Sequence, residues 1–188
     1  MRCPYCQLLL PTADAEECPT CRLSFPRTCS LEGALPRLAA KVADTTRLLS
    51  APHQAKLKRR IQEIEFRFPE LHLQLVMHQF PAEHPFSMHV FWLFNAAAFA
   101  GDNLRGNDNR SILIVLDPSR HESALMPGYG LEAFLNEETI AHLLDLASPT
   151  WEKQQWGEGF LRVLDGLDAQ LERAGIEISR DSPMTGDY

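Results

Sequence analysis

No apolar run in this 188-residue sequence is long enough to span a membrane. The longest, Val90 to Ala100, is broken by Asn95 and stops well short of the ~20 residues a bilayer requires. An export signal is also lacking, because Leu8-Leu9-Leu10 is too short for an h-region and lies between cysteine pairs. Positive charge is scarce: 18 Lys and Arg stand against 25 Asp and Glu, for a net charge of −7. That balance argues against non-specific nucleic-acid binding, which rests on releasing counterions from phosphates. The familiar phosphate chemistries are missing too. There is no D-x-D nucleophile pair and no P-loop, the one C-x5-R spacing (Cys21 to Arg27) uses a cysteine of a C-P-x-C pair, and the seven histidines form no H-E-x-x-H pair. The sequence also shows no internal repeat.

Cysteine is present in a pattern. Cys3-Pro4-Tyr5-Cys6 and Cys18-Pro19-Thr20-Cys21 are two C-P-x-C pairs, a spacing that lets each pair converge on one ion across a tight turn stiffened by proline. Together Cys3, Cys6, Cys18 and Cys21 make the four-thiolate set that zinc accepts in tetrahedral geometry. Iron in a rubredoxin-like cage uses the same ligands. Zinc is preferred because nothing else in the sequence points to electron transfer. A module of residues 1–28 buries too little apolar surface to offset its own chain entropy. Zinc supplies on the order of 10–16 kcal/mol in comparable peptides, so the ion is expected to be the core of this ribbon. A closed thiolate shell leaves no open position for catalysis. Arg2, Arg22 and Arg27 balance Asp14, Glu16 and Glu17, so the ribbon reads as a protein-contacting knuckle. Cys29 is left over and reads as a small buried hydrophobe. Reduced thiols without an export signal place the chain in the cytoplasm.

Four segments are expected: a ribbon over residues 1–28, a connector over 29–37, one α/β domain over 38–174, and a loosely ordered tail over 175–188. A polar helix is expected from Leu38 to about Leu49. Ser50-Ala51-Pro52 then opens a second helix as N-cap, N1 and N2, with Leu57, Ile61, Ile64 and Phe68 at helical spacing. Lys56, Lys58, Arg59 and Arg60 lie on its other side, as a solvated face or a basic partner patch. Leu71 to His78 alternates as a half-buried strand. Phe86 to Ala100 reads as a buried helix with Val90, Phe91, Leu93 and Phe94 inside. Ile112 to Leu116 is an unbroken apolar strand, expected in the centre of a sheet. After the turn at Asp117-Pro118-Ser119-Arg120 the chain returns as a shorter strand to Met126. Asn136-Glu137-Glu138 caps a helix with Ile140, Leu143, Leu144 and Ala147 as its stripe. A last helix carries Phe160, Leu164, Leu167 and Leu171. Strand, helix, strand implies a right-handed parallel crossover, and the hairpin adds an antiparallel strand. The fold expected is a small mixed sheet with helices on both faces, an α/β/α sandwich.

Two segments are candidates for chemistry, since open sheets of this class bind ligands in loops above the strands. The 101–109 loop carries Asp102, Asp108 and three asparagines, oxygen donors of the kind hard cations take, though no EF-hand frame fits it. Gly128-Tyr129-Gly130-Leu131-Glu132 follows a strand, and its paired glycines imply unusual backbone angles or a tight turn with the tyrosine packed on the core.

Asp44 with Leu48-Leu49-Ser50, then Asp108-Asn109 before the apolar strand, then Gly128-Tyr129-Gly130-Leu131-Glu132, resembles the TPM domain family, the thylakoid-lumen phosphatase and photosystem II repair-factor type. The resemblance covers about residues 38–172. It implies an α/β/α sandwich with a divalent-cation site, often calcium, and for some members acid phosphatase activity. Carried over by position, Asp44 and Asp108 become cation ligands, Asn109 supports the loop and Glu132 orients it. This sequence departs from the family at Asn95 to Ala100, where a tryptophan and small residues are usual, and at Arg110, where a glycine is expected. An arginine beside two carboxylates competes with a cation. Two functions follow as expectations: a metal-binding adaptor that contacts a protein partner, with zinc and possible Ca²⁺ or Mg²⁺, or a divalent-metal-dependent phosphatase acting on phosphomonoesters.

Overall fold

Alternation along the strands decides the architecture. The computed structural model describes residues 2–12, 15–34, 41–96 and 110–181. In chain order the elements are α1 (Phe25–Glu32), β1 (Val42–Asp44), α2 (Ala51–Arg67), β2 (His72–Met77), α3 (Phe86–Ala96), β3 (Ser111–Asp117), β4 (Glu122–Pro127), a 3-10 turn (Tyr129–Leu131), α4 (Glu137–Trp151) and α5 (Trp156–Asp181). The sheet order is β1-β2-β3-β4. Strands β1, β2 and β3 run parallel, with Asp44 level with Met77 and Met77 level with Leu116. Strand β4 returns antiparallel, placing Pro127 opposite Ile112.

Successive side chains on a strand point to opposite faces. Leu73, Leu75 and Met77 of β2 and Ile112, Ile114 and Leu116 of β3 therefore face one way, into a core shared with Leu57, Ile61 and Ile64 of α2, Leu143 of α4 and Phe160, Leu164 and Leu167 of α5. Val76, Leu113 and Val115 face the other way, against Val90, Trp92 and Leu93 of α3. All seven residues of β3 are buried, as a strand covered on both faces must be. The α/β/α sandwich read from the sequence is the fold observed.

The helix starts follow from their caps. Ser50 accepts from the His53 N–H, and Asn136 accepts from the Thr139 N–H at 2.9 Å. The cationic side of α2 is neutralised by acids. Arg60 pairs with Asp165 and Asp168 at 2.8 Å, Arg67 pairs with Asp168 and Glu172, and Lys56 stands 4.0 Å from Glu158.

Three segments differ from the sequence expectation. Within the stretch expected as a helix from Leu38 to Leu49, Val42–Asp44 is the edge strand β1. Three residues are too few to display a period, and their strand character comes from pairing with Leu75–Met77. The connector expected over 29–37 contains the end of α1, an eight-residue helix with Pro26 in its first turn. It has no apolar stripe of its own strength and is held by α3, with Phe25 edge-on to Phe91 at 6.2 Å and Cys29 against the α3-side core. The tail expected from 175 begins as helix, because α5 continues through Gly175 to Asp181. Of the α3 stripe, Val90 and Leu93 are buried as expected, Phe91 and Phe94 are only partly so, and Trp92 and Met88 take buried places.

Candidate metal centre

Each C-P-x-C pair folds into the same knuckle. Cys3 N–H donates to Leu8 O at 2.8 Å and Gln7 N–H donates to Cys3 O at 3.0 Å. Cys18 N–H donates to Leu23 O at 2.8 Å and Arg22 N–H donates to Cys18 O at 3.0 Å. Gln7 and Arg22, each directly after a second cysteine, both take the left-handed conformation, with φ of 62° and 60°. The bridges Arg2 to Leu9 and Glu17 to Ser24 complete the correspondence. The two halves are one pattern written twice, which corrects the reading of a sequence without internal repeat: outside the C-P-x-C pairs the two knuckles share too few residue types to show it.

The four sulfurs meet between the knuckles. All lie within 4.8 Å of one another, and Cys3 to Cys21 and Cys6 to Cys18 are each 3.6 Å apart. A disulfide would bring two sulfurs to about 2.05 Å. A tetrahedron with Zn–S bonds of ~2.3 Å has edges of about 3.8 Å. The observed spacing fits the second, and all five cysteines are free thiols. Cys3 and Cys18 are buried, Cys21 is partly exposed and Cys6 is exposed. Hydrogen bonding from the Cys21 N–H outweighs burial at Cys18 and lowers its pKa to about 6. Burial pushes Cys21 up to about 12 and raises Cys3 as well. Thiols crowded in this way hold protons that a soft cation displaces. Among the described residues this is the one cluster of three or more His, Cys, Asp or Glu side chains with ligand spacing.

The ribbon sits on the first two turns of α3. Met88, fully buried, packs against Cys3, Cys18 and Leu23. Ser87 donates to Pro4 O at 2.5 Å and accepts from the Gln7 amide at 3.0 Å. The ring of Tyr5 lies 6.5 Å from that of His84. Beside this seat is a hydrogen-bonded pair: His89 Nδ1 lies 2.7 Å from Glu32 Oε2, and its Nε2 lies 3.0 Å from Pro81 O. Cys29 stands apart from the sulfur cluster and packs on the α3-side core, the small-hydrophobe role expected of it.

Of the residues carried over for a second cation site, the two that are described, Asp44 and Glu132, are not brought together. Asp44 ends β1 at the carboxyl end of the parallel strands. Its Oδ1 accepts from Thr46 N–H at 2.9 Å, Thr46 hydroxyl at 2.6 Å and Arg47 N–H at 2.9 Å, and its Oδ2 accepts from Leu49 N–H at 2.8 Å. Glu132 is exposed and follows β4, at the amino end of those strands. The two are separated by the height of the sheet, about 16 Å for five residues at ~3.3 Å each. Asp102, Asp108 and Asn109 lie outside the described residues. Arg110, which follows them, pairs with Glu70.

The sequence placed Asp117 at a turn, as observed, but did not show that it repeats the Asp44 arrangement. Its carboxylate, fully buried, accepts from Phe80 N–H at 2.8 Å, Ser119 N–H at 2.9 Å, Ser119 hydroxyl at 2.6 Å and Arg120 N–H at 3.2 Å. Burial alone would raise this carboxyl, but the four donors outweigh it and hold it below the ordinary range. The shared signature D-x-[ST]-R, at Asp44 to Arg47 and Asp117 to Arg120, was available in the sequence. Next to both, His78 Nδ1 lies 2.6 Å from the Thr45 hydroxyl, and burial lowers the His78 pKa.

At the amino end, Gly128 takes an ordinary extended conformation with φ −72°, and its N–H donates to Ser111 O at 2.8 Å. Leu131 is the residue that packs on the core, while Tyr129 is 55% exposed. Behind the turn is an apolar groove of about 450 Å³ lined by Phe68, Leu71, Leu131, Phe134 and Leu171, with Arg67 and Arg110 also on its wall.

Fold and site together define a class: an α/β/α domain preceded by a two-knuckle module able to hold a metal ion. The TPM domain model matches residues 42–170, from β1 into α5, and the chain belongs to the TPM domain family. The solution NMR structure of the N-terminal domain of a P. gingivalis protein shares the fold at 19% identity, with a TM-score of 0.54 over 73% of this chain and 96% of that one. The N-terminal domain of a Corynebacterium glutamicum protein aligns at 10% identity and a TM-score of 0.46, over 82% of this chain and 88% of the other. Comparison with curated proteins gives no match. The knuckles lie outside the matched segment.

Proposed function

We propose that this protein is a zinc-loaded interaction module, an adaptor whose ribbon and α/β/α domain present one rigid surface to a protein partner. The observation that carries the metal is the convergence of four thiols at 3.6 Å spacing, near the edge length of a zinc–thiolate tetrahedron. Four thiolates around one ion close its shell, which supports a structural and not a catalytic role. Exposed Tyr5, Leu8 and Leu9 on the ribbon supply apolar contact surface of the kind interfaces use. A reduced thiol site supports a reducing compartment, the cytoplasm.

The alternative, a divalent-metal-dependent phosphatase, needs carboxylates free to coordinate a hard cation. The full engagement of Asp44 by four protein donors favours the adaptor instead. Metal analysis of the purified protein should give about one zinc per chain, and a strong chelator should abolish ribbon structure while the α/β/α domain persists. Calorimetric titration of Ca²⁺ into the zinc-loaded protein should show no saturable heat. Saturable calcium binding lost in Asp108→Ala would instead favour the phosphatase.

A further inference from the structure

The four cysteines differ in exposure, and the difference is ordered. Cys6 is exposed and its 3.6 Å neighbour Cys18 is 3% exposed. Cys21 is partly exposed and its 3.6 Å neighbour Cys3 is 1% exposed. Each short contact therefore crosses between knuckles and joins an exposed or partly exposed cysteine to a buried one. Within a knuckle the chain is already committed to a turn closed by Gln7 N–H or Arg22 N–H on the carbonyl of the first cysteine. Closing a 3.6 Å contact to a disulfide moves the sulfurs about 1.6 Å nearer each other. That movement draws the knuckles together without unwinding either turn.

We propose that the four-thiol site is a peroxide-responsive switch in which Cys6 pairs with Cys18, and Cys3 with Cys21, as the metal leaves. The switch rests on the zinc reading above and names the regulation of that same site. The oxidant is a hydroperoxide such as H2O2. In the first step the Cys6 thiolate attacks a peroxide oxygen; an S–O bond forms, the O–O bond breaks, and the departing hydroxide takes a proton to become water. The Cys18 thiolate then attacks the Cys6 sulfur; the S–S bond forms, the S–O bond breaks, and the second hydroxide leaves as water after protonation. Two thiolates are oxidised by two electrons and one peroxide is reduced to two waters. With half its ligands gone the ion is released, and Cys21 and Cys3 repeat the sequence with a second peroxide.

Contraction of the sulfur cluster acts directly on the seat of the ribbon. Met88 touches Cys3 and Cys18, so moving those sulfurs disturbs the contact that fixes the ribbon to α3. Cys29, outside the cluster and partly buried in the other core, keeps its thiol and serves as an internal reference.

The experiment uses the full chain loaded with zinc. It is titrated with H2O2 while a chromogenic chelator reports released zinc, then digested with a glutamate-specific protease. Cleavage at Glu16 and Glu17 separates the two knuckles. The expected result is release of about one zinc per chain, rebinding after a thiol reductant and fresh zinc, and knuckle fragments that stay linked until reduced. Backbone fragmentation of the linked pair should assign Cys6 to Cys18 and Cys3 to Cys21, with Cys29 still reduced. Retention of zinc at doses that oxidise Cys29 overturns the proposal. So do Cys3–Cys6 or Cys18–Cys21 bonds, or release accompanied only by sulfinic and sulfonic acids. A chain that holds no zinc before peroxide is added fails the metal reading itself; one that holds zinc and keeps it fails the switch alone.

Discussion

Asp117 shows how one residue divides between chemistry and architecture. An aspartate at the carboxyl end of a parallel strand invites a catalytic reading. Here both oxygens are taken by protein donors, and the side chain ties the β3–β4 turn to Phe80 in the loop before α3. The folded protein holds this carboxyl below its unfolded value near 3.9. The unfolded chain thus binds the proton first as pH falls, and the stability Asp117 contributes is complete above about pH 4 and lost as pH drops through the lower folded value. Asp117→Asn should cost about 1–3 kcal/mol in urea unfolding at neutral pH and flatten the acid limb of the stability profile. An unchanged acid limb would mean the buried carboxylate is not the group responsible. Asp44 was read as a ligand only because the family resemblance carries that role to its position. What marked it as a turn was Thr46 two residues on, the same offset as Ser119 from Asp117, a local signal that spacing alone does not rank above a metal.

Among the elements, those with their own period were legible. Helix α2 announced its cap at Ser50 and its stripe of Leu57, Ile61 and Ile64, and β3 announced itself as a continuous apolar run. Strand β1 and helix α1 were not, because each is short and owes its form to a neighbour: β1 to the β2 ladder, α1 to the face of α3. The longest helix carries a further lesson in its glycines. A Cβ at Gly159 would fall 2.1 Å from Trp151 Nε1, whose N–H donates to Trp156 O at 3.2 Å. At Gly166 it would meet the tips of Leu143 and Leu146 at 2.8 and 2.9 Å, and at Gly175 only Phe68 at 3.8 Å. Alanine gains up to about 1 kcal/mol of helix propensity over glycine at each position, and overpacking sets the sign. Gly159→Ala should lose about 1–3 kcal/mol, Gly166→Ala should lose less, and Gly175→Ala should gain about 0.5–1 kcal/mol. Thermal unfolding of the three variants checks the order, and equal effects would show that α4–α5 packing does not set it.

Across the whole molecule, the metal module is joined to the domain by more than its chain. Glu32 and His89, both buried, pair between α1 and α3, and the same imidazole stacks on Phe80 with centroids 4.8 Å apart. Removing one partner of such a pair leaves the other buried and unsatisfied, at a cost of about 1–3 kcal/mol. Glu32→Ala should therefore lower the urea midpoint by a corresponding amount, and hydrogen exchange should rise first in α1 and the ribbon. Loss spread evenly over α4 and α5 would place the pair in the wrong cooperative unit. This docking was invisible to sequence reading, since Met88, Ser87 and His89 are separated from the knuckles by more than sixty residues and share no period with them.

The sheet also has poles. The ribbon, Asp44, His78 and Asp117 gather where the parallel strands end, while the Gly128–Glu132 turn and the groove behind it lie where they begin. A metal ion held at one pole and any occupant of the other would have no atoms in common and the full height of the sheet between them. Their binding free energies therefore add, and what one pole does to the other must pass through the packing of β2 and β3. A TPM domain of this kind can carry a module able to hold a metal ion at one end of its sheet and leave the Gly128–Glu132 turn at the other end untouched.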